Sequence, residues 1–279
     1  MRSSFTLRSR GKTLALGKRT AIMGVVNITP DSFYDGGKFF DTGAAIQQAQ
    51  RLMKEGADIL DLGGQSTRPG SQPVGDEEEL SRILPVLKAL RSGFDIWISV
   101  DTYRAEVARQ ALDHGADMIN DVSSFREDPQ MAGVVAQYRV PVVCMHFLKS
   151  IHPMPADPEY QDLPGEILAF FDETFRIAIQ NGVKQEQIIV DPGIGFGKKL
   201  DHNLEIIKSL SFLQKTGCPI LVGPSRKSFI EKITGLPAAE RLEGTAAAAS
   251  ICIQQGAHIL RVHDVQFFRR YCDVLDQLL

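Results

Sequence analysis

Little in the sequence marks it for export, a membrane or nucleic acid. Its four cysteines, Cys144, Cys218, Cys252 and Cys272, lie far apart without a CxxC spacing. Three sit in apolar runs, where a small buried thiol is the ordinary occupant, so they read as reduced core residues of a cytoplasmic protein. No run reaches the roughly 18 apolar residues of a membrane span. The N-terminus "MRSSFTLRSRGKTLALGKRT" is basic but has no apolar stretch long enough for a secretory signal. Lys and Arg form no dense block, and a formal charge of -3 gives no footprint for nucleic acid. HExxH spacing is missing and the six histidines are scattered, which argues against a zinc site. Neither Ser66 nor Ser225 lies in a GxSxG elbow, so a serine nucleophile has no support.

The 279 residues, 43% hydrophobic, suffice for a sizeable core. Short Val- and Ile-rich runs recur and each breaks into polar or Gly-rich chain: "AIMGVVNIT", "ADILDLGG", "IWISVDT", "ADMINDVSS", "VPVVCMH", "QIIVDPG", "PILVGPS" and "AHILRVHD". Between them "AAIQQAQRLMKEG", "DEEELSRILPVLKAL", "AEVARQALDHG" and "LEIIKSLSFLQKTG" have helical spacing of apolar residues. Near-continuous apolar strands alternating with helices indicate a parallel sheet buried on both faces. "EGADIL", "HGADMI" and "QGAHIL" repeat one turn, a helix closed by Gly and followed at once by a strand. Eight such units predict a single-domain α/β fold over 1–279, a (β/α)8 TIM barrel, rather than a doubly wound sheet. "FTLRSRGKTLALG" reads as a short N-terminal β-hairpin around Arg10, Gly11 and Lys12, placed to cover the bottom of the barrel.

In such a barrel the chemistry lies at the C-terminal strand ends. Those ends carry Asn27, Asp61, Asp101, Asn120 with Asp121, His146, Asp191, Ser225 with Arg226 and Lys227, and Arg261 with His263. Any one of them has an ordinary alternative as a helix cap or loop brace. As a set they point to a site. Asp101, Asn120 and Asp191 suit a flat heterocycle with amino and ring N–H groups. Lys227, Arg261, His263 and Asn27, from neighbouring strands once the barrel closes, suit a phosphorylated group, with Asn27 able to hold Mg2+ through its oxygen. "DPGIGFGK" lacks the spacing of a nucleotide loop; its glycines serve a sharp turn after the sixth barrel strand, with Asp191 pointing inward and Phe196 lining a pocket. Residues 28–40, polar and glycine-rich, are either a linker or a loop carrying chemistry.

The motifs "MGVVNITPDSFYDGG", "DLGGQSTRPG", "SVDT", "INDVSS", "MH", "DPGIGFGK", "GPSRKSF" and "RVHDV", in this order, span nearly the whole chain. The sequence resembles the dihydropteroate synthase family, the sulfonamide-inhibited enzymes of folate biosynthesis. The resemblance implies attack by the amine of p-aminobenzoate on the CH2 of 6-hydroxymethyl-7,8-dihydropterin pyrophosphate, with loss of pyrophosphate. By motif position it makes Asp101, Asn120, Asp191 and Lys227 pterin-binding residues. It assigns Asn27, Arg261 and His263 to the diphosphate and Mg2+, and Thr67, Arg68, Phe196, Ser225 and Arg226 to the p-aminobenzoate side. Asp101 and Lys227 are the expected catalytic residues, joined by Asp35 and Arg68 from two loops, 28–40 and "GGQSTRPGSQPVG", that order over substrate. The family likeness also implies a homodimer through helices late in the chain, although the small-residue face of "TAAAASICI" would equally pack on barrel strands.

Gln65 stands where the family usually has Glu, Tyr34 where it often has Ser, and "FLKSIHPMP" departs from the usual stretch after His146. Two other functions compete. A barrel passing a methyl group from methyltetrahydrofolate to a corrinoid protein would bring no pyrophosphate for the cationic "SRK" and "RVH" ends. A non-catalytic pterin-binding paralogue would bind ligand without releasing pyrophosphate.

Overall fold

A computed structural model describes residues 2–29, 42–65, 74–148 and 157–279. Its first strands, β1 (Phe5–Ser9) and β2 (Lys12–Leu16), pair antiparallel through a two-residue turn at Arg10 and Gly11, both at positive φ. That turn matches the right-handed twist of the paired strands.

Eight parallel strands follow: β3 (Ala21–Asn27), β4 (Ile59–Gly63), β5 (Trp97–Asp101), β6 (Met118–Asp121), β7 (Val142–Met145), β8 (Ile188–Asp191), β9 (Leu221–Val222) and β10 (Ile259–Val262). Their order is β8-β7-β6-β5-β4-β3-β10-β9. A parallel bridge between Val190 and Ile220 joins the two ends, so the sheet closes into the expected barrel. Helices cover it from outside: α1 (Thr42–Lys54), α2 (Asp76–Gly93), α3 (Ala105–Asp113), α4 (Met131–Tyr138), α5 (Leu163–Gln180), α6 (Leu200–Ser209), α7 (Ser228–Thr234), α8 (Leu242–Gln254) and α9 (Val265–Leu278). After Ser209 the expected helix tightens into 3-10 turns over Leu210–Thr216 and stops at Gly217, which is left-handed. No helix among the described residues is long and apolar enough to cross a membrane.

The repeated turn has a definite job. Gly56, Gly115 and Gly256 take φ near +100°, and the next N–H, of Ala57, Ala116 and Ala257, bonds back to the carbonyl five residues earlier. This is the left-handed helix stop expected of a Gly at that position. The polar residue after each Ala then accepts the N–H of a neighbouring chain segment: Asp58 from Ile22 at 2.8 Å, Asp117 from Ile98 at 2.9 Å, and His258 Nδ1 from Ile220 at 3.1 Å. Each copy therefore stops a helix and pins the register of a strand beside it.

The strand pleat divides the core. Alternate residues, such as Ile22, Leu60, Ile98, Val190 and Leu260, face the helices, while Met23, Ile59, Trp97, Met118, Val143, Ile189, Leu221 and Ile259 give one inward side chain per strand. Leu7 and Leu16 of the hairpin pack against this inner layer and cover the bottom of the barrel. The small-residue face of α8, with Ala248 and Ala249 buried, is turned inward in the same way.

Candidate active site

Moving two residues along each strand keeps the side chain on the same face. From the inner layer this gives Val25, Asp61, Ser99, Asn120, Met145, Asp191, Gly223 and Arg261, and a further step gives Asn27, Gly63, Asp101, Val122, Phe147, Gly193, Ser225 and His263. The apolar floor thus gives way, within two steps, to the ionisable and amide residues the sequence placed at strand ends.

Four of them form one hydrogen-bonded network, and the others make paired contacts around it. Arg261 donates Nε to Asp61 at 2.7 Å and a terminal nitrogen to Asp101 at 2.9 Å, while Asn120 donates Nδ2 to Asp61 at 3.0 Å. Asp191 accepts from the N–H of Gly193 at 2.7 Å. The Lys227 ammonium lies 4.2 Å from the centre of the Phe196 ring, a cation–π distance. Ser225 and His263 share a hydrogen bond of 2.9 Å through Nδ1. The two groups separated in the sequence are therefore contiguous, with Arg261 bridging from the proposed phosphate end to Asp101. Met145, Val122 and Phe147 form an apolar cluster with Phe196 and Tyr103 packed against it, a wall suited to a flat ring.

Burial sets the proton affinities. It pushes Asp191 up to about 6, against the pull of the Gly193 N–H and of Lys227. Asp101 is also raised by burial, opposed by the Arg261 guanidinium and reinforced by the Asp61 charge. Lys227 is brought down to about 8, burial acting with Arg261 against Asp191 and Asp101. His263 is held down to about 4, first by burial and then by Arg261, so near pH 7 it offers hydrogen bonds and not charge. Shifts of this size in a cleft are what functional groups commonly show.

Other residues have structural partners. Asp121 points outward and accepts from the Ser123 and Phe125 N–H groups and the Ser123 hydroxyl, holding the left-handed backbone of Ser124 and Phe125. Arg226 sits at positive φ and makes a paired contact with Asp264 at 2.6 and 3.0 Å. Arg104 donates to Gln65 and to Glu79, both at 2.6 Å, and to the carbonyl of Val74. Asp35, Thr67, Arg68 and Tyr34 lie outside the described residues, as do most of 28–40, residues 66–73 of the second loop and residues 149–156 of the altered fifth.

Two residues of the site were not singled out as ligand-binding in the sequence. Asp61 is the hub of the Arg261 and Asn120 contacts. Lys198, buried, donates to the carbonyls of Phe196 at 2.9 Å and His146 at 3.3 Å, tying two mouth loops together. Burial holds Lys198 down to about 7. The polar strand end was the available signal for Asp61, and the final Lys of "DPGIGFGK" that for Lys198.

A closed eight-stranded barrel with carboxylates, an amide and two cations on one apolar-walled mouth defines an enzyme class that handles a flat polar heterocycle. Residues 23–263 match the family described as pterin binding enzyme. The dihydropteroate synthase of Synechocystis is 49% identical over 263 residues, covering 94% of this chain and 91% of that protein. A Xanthomonas albilineans dihydropteroate synthase solved with 4-aminobenzoic acid superposes with a TM-score of 0.91 at 41% identity, covering 99% of this chain and 98% of that one. The Clostridium difficile dihydropteroate synthase solved in the presence of pteroic acid gives 0.89 at 44% identity, covering 94% and 98%. The chain belongs to the dihydropteroate synthase family of pterin-binding enzymes.

Proposed function

We infer that this chain joins p-aminobenzoate to 6-hydroxymethyl-7,8-dihydropterin pyrophosphate, forming 7,8-dihydropteroate and pyrophosphate. The observation that carries the reading is the single network of Asp61, Asp101, Asn120 and Arg261 beside Asp191 and Lys227. In the reaction the aryl amine forms a C–N bond to the pterin methylene, the C–O bond to pyrophosphate breaks with its electron pair, and the amine's extra proton passes to solvent. An aryl amine needs no strong base. The barrier lies in expelling pyrophosphate and in carrying positive charge on the methylene.

In this reading Asp191 and Asn120 accept from ring N–H groups of the pterin and Lys227 donates to its acceptors. Asp101, in its ionised form beside the ring, favours a cation-like transition state. Arg261 adds charge, and His263 adds a hydrogen bond, at the diphosphate. Phe196 with the Lys227 stem walls the p-aminobenzoate side, joined by Ser225 and by Arg226 at the rim. Thr67, Arg68 and Asp35 belong to the same assignment by motif.

For Mg2+ the donor set can be tested on its chemistry. Among the described residues no group of three or more His, Cys, Asp or Glu could hold a metal ion. Mg2+ characteristically takes one or two protein oxygens and completes its shell with water and substrate phosphates. The carboxamide oxygen of Asn27, at the end of β3 and near Asp101 across Gly63, fits that role. When bound, the ion neutralises charge on the leaving pyrophosphate.

The same reading makes the chain a cytoplasmic, sulfonamide-binding homodimer. Assembly through α8 and α9 has support in Ile251, Phe267, Val274 and Leu278, which stand exposed there. The direct test is pyrophosphate release with the dihydropterin substrate and Mg2+, with and without p-aminobenzoate, followed by detection of dihydropteroate. Release that depends on p-aminobenzoate and is lost in Lys227→Ala supports the reading. Pterin binding without release would favour the non-catalytic paralogue.

A further inference from the structure

Most aspartates buried in the barrel wall brace backbone. Asp117 takes the N–H group of Ile98, Asp121 those of Ser123 and Phe125, and Asp191 that of Gly193. Among the described residues Asp61 takes none. It is fully buried, its Oδ2 accepts from Arg261 and Asn120, and its Oδ1 has no hydrogen-bond partner among the described residues. Among the described residues its polar contacts are two side chains of the mouth, and there it stops no helix, caps no turn and pins no strand.

An ionised carboxylate paired with a guanidinium can only accept, so Asn120 turns its NH2 end toward Asp61. The amide is planar, and its oxygen therefore faces away from Asp61. Left alone, Asn120 could turn either end to a ligand; clipped by Asp61 through one N–H, it presents its oxygen as the acceptor and keeps only the second N–H as a donor. The same carboxylate oxygen fixes Arg261 through Nε, which directs a terminal nitrogen to Asp101.

We propose that Asp61 is a positioning residue for the synthase reaction, fixing Asn120 as an acceptor for a pterin ring N–H and holding Arg261 against Asp101. This rests on the pterin reading of the mouth. An acceptor at position 120 favours ligands with an amino or ring N–H group there over those offering a lone pair, because a mispaired buried polar group is penalised.

The test is calorimetric binding of 6-hydroxymethylpterin to the full-length wild type, Asp61→Asn, Asn120→Ala and the double variant. Asp61→Asn keeps the side-chain shape but supplies an amide that can donate, which releases Asn120 to turn. Each single change is expected to weaken binding about tenfold, and the double to lose well short of the product of the two. Losses that multiply, or an Asp61→Asn variant that binds like wild type, overturn the proposal. A wild type that does not bind the probe overturns the pterin reading and this proposal with it.

If Asp61→Asn does not fold, the wild type still decides. With 15N-labelled pterin, the ring N–H should show a scalar coupling across the hydrogen bond to the Asn120 side-chain carbonyl carbon, assigned by its loss in Asn120→Ala. A coupling from an Asn120 amide proton to a pterin nitrogen instead overturns the proposal.

Discussion

At Lys227 stability and function oppose each other, and Lys227→Met separates them. The ammonium faces Asp191 and the Phe196 ring, yet burial brings its pKa from 10.5 to about 8. Keeping it charged at pH 7 costs at most about 3 kcal/mol by linkage, and solvent at the open mouth reduces this to about 1 to 2 kcal/mol. Methionine retains the apolar stem and sets a thioether against Phe196. The variant should therefore melt about 2 to 6 °C higher at pH 7 while p-aminobenzoate-dependent pyrophosphate release falls about 100-fold. A lysine whose folded pKa lies below its unfolded value binds fewer protons when folded, so wild type gains stability as pH rises from about 8 to 10.5. The melting gap should narrow across that window in scanning calorimetry. A variant that melts several degrees lower at pH 7, or that turns over like wild type, refutes the reasoning.

Gly193 has φ +68°, and a Cβ there would stand 2.0 Å from the His146 carbonyl oxygen, whereas Gly235 has φ +72° with nothing within 4 Å. Gly193→Ala should lose about 3 kcal/mol or more and Gly235→Ala about 1 kcal/mol in urea unfolding; equal losses would count against the steric account. Asp121→Ala strands the Ser123 and Phe125 N–H groups and should lower stability by about 2 to 4 kcal/mol, with the specific activity of folded protein little changed. Because burial raises Asp191 to about 6, kcat/KM for the pterin substrate should drop as pH falls through that value, and a profile flat from pH 5 to 7 would remove Asp191 from the acceptor role. In stability the sign is opposite: the raised carboxyl stabilises the fold at low pH, and that contribution is lost as pH rises through about 6.

The barrel was legible because its strands are buried on both faces and read as apolar runs, and because one αβ turn occurs three times with its Gly stop intact. The hairpin was legible from Arg10 and Gly11. What lay beyond the sequence at that turn was the role of the polar residue: Asp58, Asp117 and His258 look interchangeable with surface residues until the neighbouring strand's N–H is seen resting on each.

The same property that revealed the strands concealed one member of the site's inner level. A strand apolar on both faces has no alternation to show which of its polar residues points inward, so Asp61 stood at a strand end without a ligand role although Asn120, Asp191 and Arg261 were given one. The pleat settles it by parity, counted from Met118 for Asn120 and from Ile59 for Asp61. That count places Asp61, Asn120, Asp191 and Arg261 on one level and Asn27, Asp101, Ser225 and His263 on the next. Adjacent polar levels above an apolar floor let Arg261 reach across to Asp61 and up to Asp101 at once. A cation shared between two levels couples whatever binds at the upper one to the orientation of Asn120 at the lower, and it does so only because Asp61 lies two residues, and not one, from Ile59.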